Sequence, residues 1–143
     1  MSAALSLSPL LGAAAPIPSH ALVAFALVGL GAWQFAAPKG TRRHRIVGWL
    51  YVLGMGYVAL SALFISTLGT WGYFSPIHLL IPLTLWTLYA TLRDARRGRI
   101  RAHARAMVSL FVFALVITGA FTFLPGRLMH ETAFGPPTYG EMR

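Results

Sequence analysis

The residues of this chain best suited to chemistry are its five histidines, His20, His44, His78, His103 and His130. There is no cysteine, and the carboxylates number three: Asp94, Glu131 and Glu141. Thiolate ligands, iron–sulfur clusters, carboxylate-bridged metal pairs and carboxylate acid–base hydrolysis therefore lack their essential groups. Imidazole remains, and in its neutral form it is a metal ligand. A pair of imidazoles is too few for a zinc site, which takes three or four protein ligands. A pair is what the two axial positions of an iron porphyrin require.

The elements that must position these rings are apolar. Of the 143 residues, 57% are hydrophobic and 10% charged, and the mean hydropathy is +0.66, against about a quarter charged in soluble domains. Stretches 18–37, 46–68, 76–92 and 104–124 each approach the roughly 20 residues that cross about 30 Å of hydrocarbon. The third is the shortest and contains Pro82. The expectation is an all-α integral membrane protein, a four-helix bundle running up-down-up-down. Residues 16–127 form the membrane domain, 1–15 an apolar translocated tail without the basic start of a signal peptide, and 128–143 a C-terminal tail. Ser19, Thr41 and Ser75 are the expected N-caps, with Pro76 at a first helical position and Pro125-Gly126 as the stop of the fourth helix.

Orientation follows from the basic residues. Ten of the twelve lie in two connections: Lys39, Arg42, Arg43 and Arg45 in one, Arg93, Arg96, Arg97, Arg99, Arg101 and Arg105 in the other. Loops rich in Lys and Arg stay in the cytoplasm, so both termini face outward across a bacterial inner membrane that the chain crosses several times. The uncharged loop 69–75, with Trp71, Tyr73 and Phe74, suits the opposite interface. A sequence pI near 11.4 would suit nucleic acid, but the apolar runs argue against it. The basic loops set topology and meet membrane lipids of anionic charge.

This topology turns four of the histidines into two pairs. His20 and His78 fall near the outer face on helices one and three, and His44 and His103 near the cytoplasmic face on helices two and four. Nearby helix N-termini and apolar surroundings favour neutral imidazole. Each pair suits one heme b, two per chain, so the expected function is transmembrane electron transfer by a heme-dependent oxidoreductase. Small residues at helical spacing, Ala24 and Gly31 after His20 and Gly48 after His44, leave room for a porphyrin edge or for ordinary helix packing. Leu27, Tyr51 and Met55 share those faces, and Ala106 stands near His103. Met107 is either an alternative iron ligand or core filling. Propionates need cations, supplied by Arg45 and Arg105 on the cytoplasmic side and by Arg127 on the outer side. His130 falls past the Pro-Gly break, on the surface. A quinol or another small molecule is the expected donor or acceptor, and a homo-oligomer is left open. The alternative is a cofactor-free or non-heme accessory subunit of a membrane complex.

The run Lys39-Gly-Thr-Arg-Arg-His44-Arg-Ile-Val-Gly48-Trp-Leu-Tyr-Val, with Phe74-Ser-Pro-Ile-His78 and His103-Ala-Arg-Ala-Met107, resembles the bacterial membrane proteins known as domain of unknown function 2306. The resemblance extends from about His20 to Arg127 and implies a small multi-helix inner-membrane protein with no established activity. In arrangement, the two histidine pairs are similar to transmembrane diheme cytochromes b of the 561 type. That similarity implies His20 and His78 as outer ligands, His44 and His103 as cytoplasmic ligands, and electron flow across the bilayer.

Overall fold

The computed structural model describes residues 7–65, 76–124 and 128–134, which form helices joined by short turns, with no strand among them. The helices are α1 (Ser8–Leu11), α2 (Ile17–Ala36), α3 (Arg42–Ser61), α4 (Leu80–Arg96), α5 (Ile100–Ser109), α6 (Thr118–Phe121) and α7 (Leu128–Phe134). A 3-10 turn, Ala62–Phe64, ends α3, and another, Pro76–Leu79, leads into α4. A π-helical stretch, Leu110–Ile117, joins α5 to α6 as one continuous rod. Among the described residues three segments are long and apolar enough to cross a membrane: Ile17–Ala36, Arg42–Phe64 and Ile100–Phe121. The α-helical part of α4 has 17 residues and ends on Arg93 and Arg96, short of the roughly 20 that a span needs. The expected third stretch, 76–92, is thus displaced: Pro76 opens a 3-10 turn rather than an α-helix, and the helix runs on to Arg96.

Local chemistry explains most of the boundaries. Thr41 caps α3 as the sequence suggests, its Oγ1 accepting the His44 N–H at 3.1 Å. At α2 the expected cap fails. The helix begins at Ile17 with proline in its first turn, and Ser19, already inside the helix, donates to the Pro16 carbonyl at 3.0 Å. The Lys39 ammonium folds back to donate to the Gln34, Phe35 and Ala37 carbonyls, closing the far end of α2. Gly40 and Gly98, at φ +76° and +72°, make the left-handed turns that send α3 back along α2 and α5 back along α4. The expected cap Ser75 and the expected stop Pro125-Gly126 lie outside the described residues.

Packing continues around the molecule: α2 against α3, α3 against α4, α4 against α5, and α2 against the π-helical stretch. Phe35 meets Phe111 edge to face with centroids 5.1 Å apart, and Phe25 meets Phe123 at 6.4 Å. Because the lower residue of α2 meets the higher residue of the rod, the two run antiparallel. Leu27, Tyr51, Met55, Leu88, Leu110 and Leu115 form the shared core, with Met107 packed against it. A Cβ on Gly31 would stand 2.7 Å from the Phe111 ring and 3.0 Å from Tyr51. Gly31 is thus a close-approach point between helices and holds no porphyrin edge. The outer faces carry exposed Leu22, Phe25, Leu53, Phe64, Trp86 and Phe113, an apolar surface suited to hydrocarbon. Within the stretch expected as a C-terminal tail, α7 buries Met129 and Thr132 and packs against α1, whose Leu10 is buried as well.

Candidate functional site

Three histidines are each tied through Nδ1 to a polar side chain on the neighbouring helix. His20 on α2 lies 2.9 Å from Ser61 Oγ on α3. The Ser61 hydroxyl stands 3.1 Å from the Val58 carbonyl; with its hydrogen directed there it accepts from His20, and His20 then carries its proton on Nδ1. His103 on α5 lies with Nδ1 3.1 Å from the Thr91 carbonyl and 3.0 Å from Thr91 Oγ1. A carbonyl accepts only, so here too the proton is on Nδ1. The Thr91 hydroxyl returns the contact to the His103 carbonyl at 3.2 Å. In a neutral ring so arranged, Nε2 holds the free lone pair.

His44 is held the other way round. The Gln34 amide nitrogen stands 2.9 Å from His44 Nδ1 and 2.8 Å from the His44 carbonyl. An amide nitrogen has two hydrogens and donates both, so Nδ1 accepts and the neutral ring carries its proton on Nε2. Turning the amide over would set its oxygen against the His44 carbonyl, which the 2.8 Å contact forbids. Two buried polar atoms in this region, Gln34 Oε1 and Tyr51 Oη, have no hydrogen-bond partner among the described residues.

These contacts sort the histidines by level. Tyr57 Oη donates to Ser19 Oγ at 2.7 Å, and with His20–Ser61 it marks one end of the α2–α3 pair, while Gln34–His44 marks the other. His103–Thr91 lies beside the arginine-rich turn between α4 and α5. His44, beside Gln34, and His103 lie toward the same end of the helices, the end at which Phe35 meets Phe111. His78, half-buried in the turn before α4, lies at the opposite end of that helix from Thr91, the end His20 occupies. Arg45 is exposed beside His44, and Arg105 is exposed at the α4–α5 turn. Arg127 lies outside the described residues. His130 is more than a bare surface residue: its Nδ1 donates to the Phe123 carbonyl at 3.0 Å, and its ring lies 4.9 Å from that of Phe134.

The donor set excludes some chemistry and admits other. Among the described residues no three His, Asp or Glu side chains converge as a bare metal ion would require. Axial ligation of a heme iron needs one imidazole lone pair on each face. His20 and His103 fit, because a ligating histidine usually donates its other ring nitrogen to a carbonyl or similar acceptor, which sets tautomer and ring angle. His44 presents N–H at Nε2 instead and fits once its Gln34 contact is rearranged. The core between the two ends is filled by Leu27, Tyr51 and Met55, so porphyrins would lie toward the ends. Ser61, Gln34 and Thr91 are the partners that pattern reading missed. The available signal was a polar side chain on an apolar helix face, strongest for Gln34.

A family model described as "Predicted membrane protein (DUF2306)" matches residues 17–134, and the chain belongs to that family. No match was found among curated proteins or among solved structures.

Proposed function

We propose that this protein is a transmembrane electron carrier that binds two b-type hemes, one toward each end of a four-helix bundle. The observation that carries the reading is the Nδ1–H anchoring of His20 and of His103 at opposite ends, on Ser61 and on Thr91. Each leaves Nε2 as a ligating atom. His78 is the second ligand at the His20 end, and His44, once Gln34 releases its Nδ1, at the His103 end. Bound heme supplies one-electron redox chemistry. The chain's own residues hold neutral imidazoles, exclude water with a packed apolar core, and offer Arg45 to propionate at the basic end.

Alternating helix direction supports the up-down-up-down bundle, and the concentration of arginine and lysine at one end supports its placement in the cytoplasm, with both termini outward in a bacterial inner membrane. His20 with His78 would hold one heme toward one membrane face, and His44 with His103 would hold the other toward the opposite face. A quinol or a soluble reductant is the class of donor such a carrier takes.

The tautomer of His44 favours a second reading, an accessory membrane subunit without cofactor in which the three anchored histidines serve as polar clasps between helices. An absorption spectrum of the purified full chain, oxidised and dithionite-reduced, separates the two. A sharp reduced band at about two hemes per chain supports the carrier. A heme-free protein of normal stability from heme-replete cells overturns it.

A further inference from the structure

The two basic turns use their charges differently. Between α2 and α3, the Lys39 ammonium is taken up by backbone carbonyls and Thr41 caps the next helix, while Arg42, Arg43 and Arg45 stand exposed along the first turn of α3. Between α4 and α5, Gly98, Arg99, Ile100, Arg101, Ala102 and Arg105 line a shallow, open depression of the surface. Asp94 pairs with Arg99, and among the described residues neither Arg101 nor Arg105 has an acidic partner. Arg105 Nε reaches only a backbone carbonyl, that of Arg101, at 3.4 Å.

The position of this arginine-lined depression says what anion it suits. It lies at the first turn of a segment, Ile100–Phe121, long and apolar enough to cross a membrane, so it sits where headgroups meet hydrocarbon. Its rim includes Ile100, 61% exposed, which no soluble anion requires and an acyl chain does. Guanidinium groups grip phosphate oxygens in pairs, and basic pockets beside membrane helices hold anionic headgroups. The geometry points to a site for one anionic phospholipid, with its phosphate on Arg101 and Arg105, its glycerol over Ala102 and its chains leaving past Ile100. Arg99, held by Asp94, forms the wall. The site does not depend on heme.

Native mass spectrometry on the full chain tests this, after equilibration in mixed micelles of phosphatidylcholine and phosphatidylglycerol. The unmodified protein should retain one phosphatidylglycerol in preference to phosphatidylcholine. Arg101→Gln with Arg105→Gln should reduce that preference on the order of 30-fold, two interfacial charges being lost. Ala102→Phe, which covers the floor of the depression and leaves every charge, should reduce it as well. Arg42→Gln with Arg43→Gln, an exposed pair away from the depression, should not. Equal losses from both arginine pairs would overturn a built site in favour of diffuse surface charge. Displacement of the bound lipid by millimolar inorganic phosphate alone would overturn the lipid in favour of a free anion.

Discussion

Thr91 and His103 clasp each other in both directions: the imidazole Nδ1–H points to the Thr91 carbonyl at 3.1 Å, and the Thr91 hydroxyl donates to the His103 carbonyl at 3.2 Å. Thr91 is 0% exposed, so its own hydroxyl and carbonyl cannot turn to water instead. Thr91→Val keeps the shape and deletes the hydroxyl, and with it the bond to the His103 carbonyl, at a cost of about 0.5–1.5 kcal/mol. The apparent melting temperature in detergent should fall accordingly, and heme retention by roughly tenfold or more. Thr91→Ser should restore both.

The tautomers can be read directly. Nitrogen-15 NMR of histidine-labelled protein without heme should show protonated Nδ1 at His20 and His103 and protonated Nε2 at His44. Gln34→Leu should abolish the preference at His44 and leave the other two unchanged. A uniform tautomer at all three would contradict the hydrogen bonding described.

Loss of heme should come in two classes. Ala substitution of His20 or His78 should remove one heme and spare the other, and substitution of His44 or His103 should do the reverse, leaving about one heme per chain in each case. An unchanged heme-to-protein ratio in all four variants would end the electron-carrier reading.

Glycine substitutions should divide by contact. Gly31→Ala drives a Cβ to 2.7 Å from Phe111 and should destabilise by about 1–3 kcal/mol. At Gly29 a Cβ meets nothing within 4 Å, so Gly29→Ala should be neutral or stabilising, by up to about 1 kcal/mol. Thermal unfolding of the two variants side by side decides it.

Topology is open to labelling. Leu11→Cys and Arg97→Cys are both at exposed positions, and membrane-impermeant maleimide should reach the first from outside intact spheroplasts and the second only after lysis. Reaction of both from one side would break the alternation on which the histidine pairing rests.

What the sequence by itself determined is local or compositional. Apolar runs set the all-helical membrane character, a threonine before Arg42 set a cap, and clustered arginines marked the polar end. Histidines near helix starts could be sorted by level, because rise per residue and alternation convert position along the chain into depth. Even local reading slipped where tertiary packing won, as at Ser19, which a proline-led helix start carried inside α2. Ser61, Gln34 and Thr91 could not be identified as histidine partners beforehand, since each contact joins residues 10 to 41 positions apart on different helices. Rotation of each helix about its axis chooses such partners, and that rotation is set by where side chains interlock. Gly31 shows it: by spacing it could have faced a porphyrin, but the approach of Phe111 and Tyr51 turned it into a contact. The His44 tautomer was decided in the same way, because a ring nitrogen takes its proton according to the neighbour it meets, and only the packed helices bring Gln34 to it.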